Sequence, residues 1–450
     1  MAPDEETSQS SMRNPYQIPP DAPRLPPEDV PRVYAYWRVR LLSSTFLGYV
    51  MYYLVRKNIA MALPAMQRDL GYTKSDLGKL LSANDIVYGI SKFVNGMGAD
   101  CSNARYFMAT GLLVASVANL AFGLSGTLWA LGFWWILNGW FQGMGFPPCA
   151  RILCYWFSPR ERGLKWSIFA ASQQVGAAGA LILSGYLVER FGWRAVFLFP
   201  GFVGVLGSLF LFNRLRDTPG SLGLPPVDEY TGEVAAAPKK KTKQPKDDSF
   251  RQMLMVRVFR NPYVWMIACA NFFVYVLRSS FAYWAPSYLH EAKLIPLETA
   301  GDIQAGFEIA GLCGAMLAGW ISDRFTRGQR APVCVVYMLM ACGAVLHFSM
   351  VPAGHPYMSA VSLWLVGFTI YGPQFLVGVM MTDQSGKEAA ATADGLAGLI
   401  GYASGVVSGW GIGYIVQTHG WPVTFRIMVL CGLASAALFG CCWKARPVLH

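Results

Sequence analysis

Arg56 and Arg278 each stand inside a long apolar segment, residues 41–66 (LLSSTFLGYVMYYLVRKNIAMALPAM) and 263–289 (YVWMIACANFFVYVLRSSFAYWAPSYL). A charge at the middle of a bilayer costs on the order of 3 kcal/mol on insertion scales, so such a residue is a functional hypothesis by default. Two of them, in corresponding places of two half-chains, point to one anion held between two cations. The planar guanidinium fork suits phosphate or carboxylate oxygens. Tyr52 and Tyr53 precede Arg56 by four and three residues, and Tyr275 precedes Arg278 by three, so each can share a helix face with its arginine. Their hydroxyls would add hydrogen bonds to the anion. Lys57 and Lys92 are further candidate cations, and Gln173 and Gln174 offer neutral donors and acceptors suited to sugar or glycerol hydroxyls. Against this stands plain neutralisation of the buried cations by Glu308, Asp85 or Asp394. For Lys57 and Lys92 the two readings weigh equally, whereas a matched arginine pair is not explained by neutralisation.

The elements that must position these residues are membrane spans. The chain has 450 residues, 54% of them hydrophobic and 14% charged, where a soluble protein carries roughly 25% charged residues. Apolar runs of about 20 residues recur along its length. Twelve spans are expected: 37–64, 78–99, 106–124, 127–149, 164–188, 194–213, 262–289, 298–322, 331–351, 356–381, 391–416 and 422–443. Residues 1–33 hold eight prolines and read as a disordered tail rather than a signal peptide. The expected organisation is a tail (1–33), a six-helix bundle (34–213), a linker (214–260), a second six-helix bundle (261–443) and a short tail (444–450). Most of the 37 Lys and Arg fall in the tails and on the same side of the spans. That places both termini in the cytoplasm of a protein of the inner (plasma) membrane.

An internal repeat carries the architecture. Arg56 precedes Gly96 by 40 residues, and Arg278 precedes Gly319 by 41. Each glycine is followed four residues later by an aspartate, Asp100 or Asp323, and then by an arginine, Arg105 or Arg324. Gly96 precedes Gly192 (GWRAVF) by 96 residues, and Gly319 precedes Gly420 (GWPVTF) by 101. Six helices plus six in parallel repeat describe a two-bundle transporter with its site at the repeat interface. The two acidic–basic loops would then stabilise or gate the bundles without touching substrate.

Other classes are disfavoured. The net charge of +11 suits anionic lipid headgroups, and the dense basic run at 239–246 (KKKTKQPK) lies in the linker, so no nucleic-acid surface is indicated. The ten cysteines and five histidines show no metal spacing, no nucleophile–base constellation is present, and no cofactor is expected.

Several motifs resemble the organophosphate:phosphate antiporters of the major facilitator superfamily: YYLVRKN (52–58), YGISKF (88–93), SNARYFM (102–108), QGMGFPPCAR (142–151), ERG (161–163), FVYVLR (273–278), IYGPQ (370–374) and GYASG (401–405). The resemblance covers about residues 33–445. It implies the all-α, twelve-helix facilitator fold and exchange of an organic phosphate, a hexose 6-phosphate above all, for inorganic phosphate. Glycerol-3-phosphate and phosphoglycerate carriers are alternatives. So is a transporter-like sensor of external sugar phosphate with a membrane kinase as partner, since SNARYFM and RLRDTPGSLGLPPV (214–227) look closest to the sensor. The resemblance also implies that Arg56 and Arg278 clamp the phosphate, with Lys57, Lys92, Tyr275, Tyr371 and Tyr402 lining the site of a monomer. The chain departs from the family pattern at Gln173, where a histidine is usual, and at Tyr283, where relatives carry aspartate. It departs again at Asp394, whose usual lysine companion is Ala397.

Overall fold

The computed structural model describes residues 17–100, 102–232, 255–326, 329–385 and 390–443, and within them every regular element is helical. The first span is made of α1 (Val30–Leu54) and α2 (Ile59–Leu70), separated by residues 55–58. Then follow α3 (Lys74–Asp100), α4 (Ala104–Leu124), a fourth span split into α5 (Leu128–Gln142) and α6 (Phe146–Trp156), α7 (Pro159–Phe191) and α8 (Ala195–Arg214). A single turn, α9 (Val227–Tyr230), lies in the connection. The second half comprises α10 (Pro262–Glu291), α11 (Leu297–Arg324), α12 (Ala331–Met350), α13 (Pro356–Ser385), α14 (Ala390–Ala403) and α15 (Ile412–Cys441). A π-helical turn, Val406–Gly411, joins α14 to α15, and α15 bends at Gly420, where φ of 78° separates the eleventh span from the twelfth.

Local chemistry sets the helix ends. Ser158 and Glu161 form a capping box with Pro159 in the first turn of α7. Asn103 and Asn261 accept hydrogen bonds from the backbone N–H of Arg105 and Tyr263 at the starts of α4 and α10. Gly71 and Gly192, with φ of 69° and 81°, close α2 and α7 in a conformation that a side chain would strain. Among the described residues eight helical runs are apolar enough to cross a bilayer by composition, the last of them, 395–441, holding two spans. The other three spans escape that criterion for physical reasons: the first and fourth are interrupted, and α3 carries several charges.

The expected tail is shorter than 1–33. Residues 1–16 lie outside the described residues, but 17–29 run along the segment after α8. Ala22 N–H and Leu25 N–H donate to the carbonyls of Gly220 and Gly223, both at 2.9 Å. Arg24 grips Glu229 with two hydrogen bonds, and the Tyr34 ring stacks on Tyr230 at 4.1 Å. Two glycines let the backbones approach, which a proline-rich sequence cannot announce. Nearby, the buried Asp217 accepts from the N–H of Ala104 at the start of α4 and from Arg151 of α6, each at 3.0 Å. A carboxylate at a helix N-terminus and beside a cation is well placed.

The two bundles meet from the middle of the molecule to one end, the end that carries the turn between α2 and α3. There α3 packs on the π-helical turn so tightly that a Cβ on Gly78 would lie 2.6 Å from the Gly409 carbonyl. Ser82 Oγ donates to the Gly405 carbonyl and accepts from Trp410 N–H, both at 2.8 Å. A second seam sets Gly185 of α7 against Gly301 of α11. Lys74 pairs with Glu291 at the rim, beside a 3.1 Å bond from Ser75 N–H to Gln417. Between the bundles a cavity of about 870 Å³ runs from this closed end toward the opposite end. Gly78→Val is expected to prise the seam open. Cysteines placed at positions 75 and 417 should cross-link readily with Gly78 present and much less with valine, as read by mass spectrometry; equal yields would show that the seam tolerates the methyls.

Candidate functional site

The break between α1 and α2 removes part of the backbone ladder inside the membrane, where an unpaired carbonyl is costly. Side-chain amides from α5 take its place. Asn138 donates to the Val55 carbonyl at 3.1 Å, and Gln142 donates to the Tyr52 carbonyl at 3.2 Å. Asn58 at the other edge donates to the Val196 carbonyl at 3.0 Å. Arg56 lies in this capped break, and its guanidinium carbon sits 3.9 Å from the centre of the Tyr88 ring and 5.8 Å from that of Tyr53. Arg278 stays on the continuous α10, 4.9 Å from the ring of Tyr371 and 5.8 Å from that of Tyr275. Each cation thus rests on two tyrosine rings, a contact worth about 2 kcal/mol when desolvated.

Tyr402 ties the two cradles together. Its ring meets Tyr88 edge-on at 5.2 Å and Tyr275 at 5.7 Å, so an aromatic chain runs from one arginine to the other. Among the described residues no carboxylate lies within ion-pair distance of either guanidinium. The rings stabilise the charges without cancelling them, and both forks remain available to an anion.

Lys57 differs. Its Nζ is 3.1 Å from Oε1 of the buried Glu308 on α11, whose other oxygen accepts from the Tyr371 hydroxyl. Neutralisation, one of the two alternatives for this lysine, is what the geometry displays. Lys92 is exposed to the cavity, 5.8 Å from the Tyr402 ring. On α3, one turn from Tyr88, Asp85 accepts from the hydroxyl of Tyr283 on α10 at 2.6 Å.

A pair of cations on aromatic cradles, at the interface of two six-helix bundles, is the layout of a carrier. Comparison with known proteins agrees: the model of the Major Facilitator Superfamily matches residues 45–409. The chain belongs to that superfamily. A probable hexose phosphate transport protein of Chlamydia trachomatis serovar D is 38% identical over 93% of this chain and 94% of its own length. The glycerol-3-phosphate transporter of Bacillus subtilis is 37% identical over 96% and 98%. The membrane sensor protein UhpC of Escherichia coli is 34% identical over 94% and 96%. A crystal structure of a bacterial homologue of the human lysosomal transporter Spinster superposes with a TM-score of 0.75 at 15% identity, covering 90% of this chain and 96% of that one. The fold is therefore the twelve-helix facilitator fold, in a multi-pass membrane protein of a family of transporters rather than enzymes.

Within this facilitator the cavity brings together Arg56, Arg278, Lys57, Lys92, Tyr53, Tyr275, Tyr371, Tyr402, Gln173 and Gln174. Gln173 accepts from the Tyr53 hydroxyl at 3.3 Å. Tyr52 is a correction: it is buried at the back of the break, and its hydroxyl donates to the Met108 carbonyl at 2.8 Å. Two glycines make that slot, because a Cβ on Gly111 or Gly145 would press on the Tyr52 ring or hydroxyl. The side chains of Asp394 and Asp100 lie outside the described residues. Arg105 donates to the Phe212 carbonyl at the end of α8. Asp323 accepts from Arg330 at 3.3 Å, and Arg330 also holds Asp383 at 2.9 Å, whereas Arg324 is exposed. Tyr88 and Arg330 are not singled out by the sequence, and Tyr283 stands out only as a departure from the family pattern. Tyr88 was legible inside the YGISKF motif, but the ring-on-guanidinium contact joins two spans and has no signature within either.

Tyr52→Phe is expected to lower stability by about 1 kcal/mol through the lost buried hydrogen bond, seen as a lower melting temperature in detergent. Phosphate affinity should be kept; a large affinity loss with unchanged melting would return Tyr52 to the site.

Proposed function

We propose that this facilitator is a secondary transporter that exchanges an organic phosphate, a hexose 6-phosphate above all, for inorganic phosphate by alternating access. The observation that carries this reading is the pair of guanidinium groups on tyrosine rings, one from each bundle and neither matched by a carboxylate among the described residues. Phosphate is the anion that best satisfies two planar forks at once. The name of the chlamydial relative supports the sugar phosphate, and the length of the match supports carrying that activity over.

Exchange follows from charge. Closing the open end around two unpaired cations would bury like charges in low dielectric, which is costly. A bound phosphate compensates both and makes closure favourable, so the empty carrier stays open and each crossing needs cargo. Arg56, Arg278, Lys92, Tyr53, Tyr275, Tyr371, Tyr402, Gln173, Gln174 and Asp394 are the proposed substrate-contacting set, with Lys57 and Glu308 as a joint between the bundles. Asp100, Arg105, Asp323 and Arg324 are proposed to steady the loop ends. With the termini in the cytoplasm, positive side inside, the cavity described here opens inward from a plasma membrane, and a monomer suffices.

Arg56→Lys or Arg278→Lys should abolish exchange in phosphate-loaded liposomes while leaving expression intact, because a lysine cannot present two parallel donors. Exchange retained in either mutant would defeat the clamp. The sensor relative gives one specific rival. Sugar phosphate that binds the wild-type protein yet drives no counterflow would turn the reading toward a receptor that signals to a membrane kinase.

A further inference from the structure

Asp85 is the cavity carboxylate that the clamp does not use. It is 7% exposed, lines the cavity, and among the described residues has no cation within ion-pair distance. Oδ1 accepts from the Tyr283 hydroxyl at 2.6 Å. Its other flank lies against Gly405, where a Cβ would come within 2.7 Å of Oδ2. The buried Glu308 between the bundles is by contrast satisfied by Lys57 and Tyr371. Asp85 thus has no ion-pair partner among the described residues and retains acceptor capacity on Oδ2.

Its position relative to the arginines decides what it can touch. Along α3, Asp85 lies three residues, about 4.5 Å, from Tyr88 toward the closed end, and Tyr88 carries Arg56. Along α10, Tyr283 lies five residues, about 7.5 Å, beyond Arg278 in the same direction. The pair therefore lies on the closed-end side of the cavity, which Asn84 and Trp135 also line, while Lys92 lies seven residues, about 10.5 Å, from Asp85 along α3 in the opposite direction. A phosphate held between the arginines has Asp85 and Tyr283 on its closed-end side. A carboxylate there accepts hydroxyl hydrogens, and it repels a second anion in a low-dielectric site.

We infer that Asp85, oriented by Tyr283, selects the organic end of the ligand: it accepts the hydroxyls of a polyol or sugar phosphate and rejects a phosphorylated carboxylic acid. The inference rests on the organic-phosphate reading above and names the substrate class within it.

The test is binding, which does not depend on transport. Thermal stabilisation of the full-length detergent-purified protein is titrated with glucose 6-phosphate, 3-phosphoglycerate and inorganic phosphate. Wild type should favour glucose 6-phosphate over 3-phosphoglycerate. The near-isosteric Asp85→Asn should lower that affinity ratio roughly tenfold or more, as expected for a hydrogen bond to a charged group and a removed repulsion. Tyr283→Phe keeps the carboxylate but removes the hydroxyl that orients it, so the ratio should fall by less than in Asp85→Asn; a ratio equal to wild type would remove Tyr283 from the proposal. A ratio that Asp85→Asn leaves within about twofold, even if all affinities move together, would make Asp85 a latch between the bundles and overturn the inference. If wild type binds inorganic phosphate but prefers 3-phosphoglycerate, the inference falls while the clamp stands. If wild type binds none of the three, both fall.

Discussion

Everything in this molecule is arranged around two positive charges that have no negative partner of their own among the described residues. Arg56 and Arg278 lie within a bilayer-spanning fold, and each is held by tyrosine faces instead of a carboxylate. Aromatic rings attract a cation through their quadrupole but leave its net charge and its N–H donors untouched. An ion pair would neutralise each guanidinium, whereas the rings leave its charge in place. Tyr402, touching both Tyr88 and Tyr275, makes the two cradles one structure across the bundle interface.

Holding Arg56 there requires an interrupted helix, and an interrupted helix in a membrane requires its carbonyls to be met elsewhere. Asn138 and Gln142 meet them from α5. The repeat is therefore imperfect where it matters: Arg278 sits on the unbroken α10 and needs no such caps. The pseudo-twofold arrangement relates the charges but not the backbones that carry them.

The bundles are joined by contacts of a kind that can be undone. Glycines at 78, 185, 301 and 409 bring backbones together at the closed end, and Gly405 makes room for the side chain of Asp85. The polar links across the interface are chemically distinct and include Lys57 with Glu308, Asp85 with Tyr283, Ser82 with the π-helical turn, Lys74 with Glu291 and Ser75 with Gln417. Small residues and hydrogen bonds are what associate helices where lipid offers no hydrophobic drive. Such a seam is tight in one state and separable in another, as alternating exposure of a central site demands.

Much of this was legible in the sequence, because the relevant signals are local or periodic. Apolar runs marked the spans, matched intervals marked the repeat, and the two arginines stood out by their energetic cost. Most of the residues expected around the anion do line one cavity. Tyr52 departs from expectation for a simple reason: its spacing would place it beside Arg56 on an unbroken helix, but α1 ends at Leu54, and Tyr52 packs against Gly111 and Gly145 instead. The docking of residues 17–29 against 220–230, the ion pair of Lys57 and the pairing of Asp85 with Tyr283 were equally out of reach. Each joins residues tens to hundreds of positions apart. The sequence by itself determined that this chain spans a membrane in two related halves and holds buried cations. Only the tertiary structure decided which cation is neutralised and which has no ion-pair partner among the described residues, because that depends on which side chains the folding of twelve helices brings within a few ångströms.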